Sequence, residues 1–319
     1  MPEVLREAQN NVEIIGTIKK VSIEEKTSKN TGKPMILGSV LVEVQDGDKI
    51  HNINCKLFSF KLKKDGTENG LYKGYKTVEE EYKPGDRVRV NGNLTINEYY
   101  NQQGSLISFN EVRGVFFNRL EGEEANKADK AIATIETIVE NMISEMDENG
   151  IPTGNLEVDA FTVGYGGSII PLQNMIIGQN LAQTFQNMYI PGSTGRITMK
   201  INNYAVVGEE EVVEQSAGFG SAERVESNIV TEYKNNLEII GGDLPYMDGV
   251  NNYSPQDIED AHKVRELALQ QLLQNSSAPA TPQHNGFGTN EPKDLSKEQK
   301  DKVVEGLNNM FADDDMPVF

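Results

Sequence analysis

From residue 11 onward the chain alternates apolar and polar positions in short runs that break at glycines and charge clusters. NVEIIGTIKKVSIEE (11–25) is rich in β-branched residues; KPMILGSVLVEVQ (33–45) and KIHNINCKLFSF (49–60) follow. A period of two over such lengths predicts half-buried strands. The Lys-rich segment KTSKNTGK (26–33) separates the first two runs, and Asp46-Gly47-Asp48 predicts a tight hairpin between the second and third. The charged, glycine-containing stretch 61–83 reads as an irregular crossing. PGDRVRVNGNLTINEYY (84–100) and SLISFNEVRGVFF (105–117) then supply a fourth and a fifth strand.

Five strands with one longer crossing between the third and fourth match the plan of an oligonucleotide-binding (OB) barrel. The pattern recurs: AIATIETIVENMISE (131–145), GNLEVDAFTV (154–163) and SIIPLQNMII (168–177) read as strands, and GQNLAQTFQNMY (178–189) as a short crossing helix. PGSTGRITMKINNYAVV (191–207) resembles the fourth strand's segment, and NNLEIIGG (235–242) could close a second sheet. An unrelated α+β domain is the alternative for this half. Ser254-Pro255 opens a helix with Ile258, Ala261, Val264, Ala268 and Leu272 on one face. The Pro/Gly/Ser/Asn-rich stretch 275–293 reads as a flexible linker, and a second amphipathic helix follows Ser296, with Val303, Val304, Leu307 and Phe311 on its apolar side. The expected fold is mainly β. An OB barrel spans 8–120, a second, diverged OB-like domain 130–245 and a helix 254–274; linker, short helix and acidic tip fill 275–319.

Charge sharpens this division. The net charge is −19, yet residues 1–120 carry 18 Lys and Arg against 16 Asp and Glu, and residues 121–319 carry 12 against 33. A slightly basic front joined to an acidic back suits a nucleic-acid module with an acidic interaction tail. One cysteine, Cys55, excludes an internal disulfide and fits a reducing compartment. The polar start MPEVLREAQN does not read as a signal peptide, and no apolar run approaches a membrane span. The expected location is the cytoplasm, a host's cytoplasm for a virus-encoded protein.

In the third strand His51, Ile53, Cys55 and Leu57 share one face, which suits a barrel interior. Lys56, Phe58 and Phe60 then point outward, where bases could stack and the lysine could meet phosphate. Packing of both rings under residues 61–83, or in a subunit contact, is the alternative. In the fourth strand Val88, Val90, Leu94 and Ile96 face in, with Gly92 among them where the strand must bend. Arg87 and Arg89 face out, either to track a phosphate backbone or to pair with acids. Tyr99, Tyr100 and the loop lysines Lys26, Lys29, Lys33 and Lys61 complete the candidate single-stranded DNA face. Between 131 and 245 only 4 basic residues stand against 16 acidic ones, so a structural or weakly assisting role is expected there. Tyr165, Arg196, Lys200 and Tyr204 are its candidate contacts. Three histidines without metal-ligand spacing and no phosphate loop argue against an enzyme, a bound cofactor or a metal.

YKPGDRVRVNGNLTINEYYNQQGSLISFNEV (82–112) resembles single-stranded DNA-binding proteins: Val88, Val90, Gly92, Leu94, Tyr99, Tyr100 and Gly104 fall where that family's pattern expects them. The last residues, FADDDMPVF (311–319), are similar to its acidic C-terminus. The likeness covers about 110 residues at the front and nine at the back. It implies a non-catalytic protein that coats single-stranded DNA without strong sequence preference during replication, recombination and repair. It also implies that Asp313, Asp314, Asp315, Pro317 and Phe319 dock into basic, apolar pockets on replication or recombination partners such as a polymerase, helicase or primase. Two barrels where the bacterial form has one, Val318 between Pro317 and Phe319, and the absence of tryptophan depart from the pattern and suggest a divergent, phage-type member. The family's tetrameric assembly does not carry over; self-association stays open. The competing reading is an OB-fold scaffold that binds proteins and not DNA.

Overall fold

The computed structural model describes residues 5–29, 31–101, 103–147, 149–207, 211–212, 227–228, 231–247 and 251–276. Strands β1 (Asn10–Thr27), β2 (Pro34–Asp46), β3 (Lys49–Phe60), β4 (Arg87–Tyr100) and β5 (Leu106–Arg119) form the first unit, with helix α1 (Gly70–Glu81) between β3 and β4. β1 pairs with β2 and β4, β2 with β3, and β5 with β4, all antiparallel; β3 and β5 run parallel and close the ring. This is the OB barrel that the alternation predicts. Its interior holds Val12, Ile14, Ile18, Val40, Val42, Ile53, Cys55, Leu57, Val88, Val90 and Leu94. Gly92 faces in, and a Cβ there would lie 1.9 Å from the Arg113 carbonyl oxygen, so β4 and β5 can approach this closely only without a side chain.

The segment read as an irregular crossing contains α1. Its apolar residues Tyr72, Tyr75 and Val78 are buried at spacings of three, but glycines and a majority of charged residues around them mask the helical period. Asn69 caps the helix, its Oδ1 accepting from Leu71 N–H at 3.0 Å. Tyr75 donates its hydroxyl to the Gly114 carbonyl at 2.9 Å, which pins α1 to β5.

The connectivity repeats in β6 (Lys130–Met146), β7 (Pro152–Val163), β8 (Ile169–Ile177), α2 (Gln179–Met188), β9 (Thr194–Val207) and, after the two-residue strands β10 (Glu211–Val212) and β11 (Ser227–Asn228), β12 (Thr231–Gly242). β6 pairs with β7 and β9, β7 with β8, β9 with β12, and β8 runs parallel to β12. The two rings share a ladder: Asn10–Ile15 of β1 runs antiparallel to Lys130–Ile135 of β6. In both strands the N-terminal half serves this ladder while the C-terminal half stays in its own hairpin. β1 forks at Gly16, where a Cβ would sit 2.3 Å from the Glu43 carbonyl oxygen. Helix α3 (Pro255–Ser276) begins at Ser254, whose Oγ accepts from Asp257 N–H at 3.1 Å. It lays Ile258 and Ala261 on the cluster of Phe161, Val163 and Ile169, and Arg265 pairs with Glu98 of β4 at 2.5 Å. The helix thus touches both rings. Among the described residues no helix is long and apolar enough to cross a membrane.

Cys55 lies fully inside the first barrel, and burial pushes its thiol up to about 12. Since the thiolate is the reactive form, labelling of native protein by a thiol reagent at pH 8 is expected to be slow, becoming fast once denaturant opens the barrel. Rapid labelling without unfolding would contradict this interior.

Candidate nucleic-acid interface

The outer face of the first barrel is set by the β2–β3 register. Met35 stands opposite Phe60, Leu37 opposite Phe58, Ser39 opposite Lys56 and Leu41 opposite Asn54. On the other side of β2, Lys26, Glu24, Ser22 and Lys20 of β1 occupy the same four rows. Phe58 and Phe60 are half-buried and outside the core, with ring centroids 5.1 Å apart and planes at 80°. Lys33 Nζ lies 5.9 Å from the Phe60 ring, Lys56 and Lys29 are exposed, and the exposed Lys61 reaches to 6.0 Å from the Tyr72 ring of α1. Among the described residues no carboxylate lies within ion-pairing distance of Lys20, Lys29, Lys33, Lys56 or Lys61; Lys26 pairs with Glu24. Cations and flat apolar rings thus share one surface, the combination a sugar–phosphate chain with unstacked bases can use.

Arg113 of β5 sits beside Lys56 across the parallel ladder and extends this row. Farther along, Tyr99 is exposed with its ring 6.5 Å from Phe109, and Tyr100 is half-buried opposite Leu106. Phe109 lies six positions from Phe58 in strand register, about 20 Å along the sheet at the usual rise. The sequence pattern missed Lys20, Met35, Leu37 and Arg113, which belong to this face through cross-strand pairing.

Arg87 and Arg89 point outward as the alternation predicts, but they are occupied. Arg87 pairs with Asp129 at 2.5 Å and donates to the carbonyls of Ala125 and Lys127; Arg89 pairs with Glu124 at 2.9 Å and Glu13 at 3.4 Å. The connector between the barrels carries Glu124 and Asp129 across this side of β4, which answers the acid-paired alternative. On the second unit Arg196 pairs with Asp243, and Lys200 reaches Asp46 of the first barrel at 2.7 Å. Tyr204 lies beneath Lys49 Nζ at 4.7 Å and edge-on to His51 at 5.1 Å. Lys200 and Tyr204 therefore sit at the junction of the barrels; of the four candidates Tyr165, in the turn before β8, and Arg196 are exposed. Asp313, Asp314, Asp315, Pro317 and Phe319 lie outside the described residues.

His51 ties this junction together. Its Nδ1 accepts from Asn203 N–H at 3.2 Å, so the neutral ring carries its proton on Nε2. Burial holds its pKa below the ordinary histidine value; Lys49 and Lys200 add to this, while Asp46 and Glu238 oppose it. The neutral form is the one the folded junction favours. Stability from His51 is therefore full above the unfolded value of about 6.5 and is lost as pH falls through the lower folded value. Urea midpoints at pH 7.5 and 5.5 are expected to differ in that sense, and His51→Asn, which keeps an acceptor for Asn203, should reduce the difference. An unaltered pH response in the variant would assign the effect to other groups.

Two OB rings in one chain, with a cationic and aromatic outer face on the first, define the class: a tandem OB-fold protein. The chain belongs to the YorF family, whose profile matches residues 8–275. It is similar in structure to the wild-type single-stranded DNA binding protein from Thermus aquaticus, with 12% identity and a TM-score of 0.47 over 77% of this chain and 97% of that one. It is also similar to the single-stranded DNA binding protein of Plasmodium falciparum solved with DNA, at 13% identity and a TM-score of 0.26 over 37% of this chain and 99% of the other. For the mitochondrial single-stranded DNA binding proteins of S. cerevisiae the values are 16% and 0.26, over 35% and 95%. No curated protein matches the chain.

Proposed function

We propose that the protein binds single-stranded DNA without strong sequence preference through the outer β1–β2–β3 face of its first barrel, as a non-catalytic coat in replication, recombination or repair. The observation that carries this is the half-buried Phe58–Phe60 pair on the outer face, with Lys20, Lys33 and Lys56 of the same face having no carboxylate within ion-pairing distance among the described residues. Rings stack on any base, and the lysines offer neutralisation to the phosphates between them. In duplex DNA the bases are already stacked and unavailable to the rings. The acidic end, with Asp313, Asp314, Asp315, Pro317 and Phe319, recruits partner proteins that present basic, apolar pockets.

Fluorescence anisotropy with labelled oligo(dT), a duplex of equal length and an RNA of equal length tests this. Tight binding to oligo(dT), weaker binding to duplex and a salt slope of about −0.7 per phosphate neutralised are expected. Removing residues 311–319 is expected to leave oligo(dT) affinity intact or higher while partner capture is lost. No binding of oligo(dT) at low salt would favour a protein-binding scaffold.

A further inference from the structure

The two barrels have equivalent strands, so their outer faces can be compared position by position. The β1–β2–β3 face carries Lys20, Lys26, Lys56, Phe58 and Phe60. Its counterpart on β6–β7–β8 places Asn141 opposite Asp159 and Ile143 opposite Glu157, with Glu157 next to Ile176 of β8. This face opens into a cleft of about 730 Å³ that Glu140, Glu145, Glu157 and Asp159 line; among the described residues Lys234 is the one Lys or Arg lining it, and no aromatic ring lines it. The other cations singled out on this half, Arg196 and Lys200, are neutralised by Asp243 and Asp46. The second face therefore has neither of the two attractions that the first offers, and it repels phosphate.

We infer that the second barrel ends the DNA footprint: a single strand is held on the first barrel alone, and the carboxylates of the β6–β7–β8 face turn it away. This rests on the proposed DNA binding and adds to it the residues that limit the site. A strand bridging both faces would bring phosphates within a Debye length, about 8–10 Å, of four carboxylates, where repulsion is only partly screened. Glu157 and Asp159 are exposed on adjacent positions of one strand face, so changing them leaves the core intact.

The test uses the full chain, an oligo(dT) length series and the variant Glu157→Lys/Asp159→Lys. For the unmodified protein, affinity is expected to rise with length until the first face is filled and then to level off. Photo-cross-links from iodouracil-substituted oligonucleotides should fall within residues 10–119. The variant should bind the shortest saturating length as before and longer strands at least about fivefold more tightly, with a steeper salt slope. Cross-links to the β6–β7–β8 cleft in the unmodified protein, or a variant that gains nothing on long strands, would overturn the footprint limit while leaving DNA binding on the first barrel in place. Failure of every length to bind would overturn both.

Discussion

Replacing Phe58 and Phe60 together by alanine is expected to weaken oligo(dT) binding by roughly 2–6 kcal/mol, a loss of about 30-fold or more, on the basis of about 1–3 kcal/mol for each ring that stacks a base. The folded barrel should tolerate the change, because both rings are half-buried, lie outside the core and stand opposite the half-buried Met35 and Leu37 across the ladder. The single changes should differ from each other. The rings stand at 80°, so one base cannot lie flat on both; one ring takes a base face and the other meets it edge-on or takes the next base. Leucine at the stacking position keeps apolar area but loses the flat surface, so Phe58→Leu and Phe60→Leu separate stacking from simple burial. Lys56→Ala gives the contrasting result: a smaller loss at low salt and a salt slope shallower by about 0.7. Titrations of the four variants against labelled oligo(dT) read all of these. Unchanged affinity in the double alanine variant would move the contact to another surface.

Much of this face was legible in the sequence for one physical reason. A strand with one side in a barrel interior must alternate, so KIHNINCKLFSF fixes which side chains point out before any partner strand is known. The alternation also put Arg87 and Arg89 on the outside of β4, as found. It could not reveal that the connector carrying Glu124 and Asp129 returns across them, because that contact depends on the path of the chain between barrels. Lys200 and Tyr204 went the same way: their partners Asp46, Lys49 and His51 lie about 150 residues earlier and meet them only once two rings are docked. The β1–β6 ladder was illegible for a different reason. Pairing uses strand edges, and backbone edges carry no side-chain signature. Helix α1 was hidden because its buried face is made of tyrosines at intervals of three among lysines, glutamates and two glycines, a composition that reads as loop. The acidic tip remains legible only as sequence, and its role rests on composition and likeness.

The second large effect concerns stability. Arg6→Ala is expected to destabilise the protein by about 3 kcal/mol, because it leaves the buried Glu136 carboxylate of β6 without its cation. Glu136 is 2% exposed, and its carboxylate meets Arg6 through both terminal nitrogens of the guanidinium; it also accepts from Gln9 N–H at 3.4 Å and lies beside the Tyr253 hydroxyl. Arg6 also donates to the Asn251 carbonyl at 2.9 Å and lies over the Tyr253 ring at 5.0 Å, while Tyr253 donates its hydroxyl to the Arg6 carbonyl at 3.0 Å. Three distant parts of the chain are joined here: the segment before β1, the β6 strand and the start of α3. The value belongs at the lower end of the range for a broken buried pair, since the Arg6 side chain retains 40% exposure and water already shares it. The hydrogen bond to Glu136 raises the Arg6 pKa further above its already high ordinary value, so the guanidinium stays charged at any working pH and the loss should not depend on pH near neutrality. Removing both charges together is a different experiment. In Arg6→Met/Glu136→Gln no buried charge is left behind, and the pair should recover most of the loss. Urea denaturation of the two single variants and the double closes the cycle, and hydrogen exchange at residues 5–9 and along α3 should rise in Arg6→Ala before the first barrel loses protection. A midpoint for Arg6→Ala equal to that of the unmodified chain would mean that Glu136 finds water or another donor, and that the junction of β6 and α3 is held by the Phe161 cluster alone.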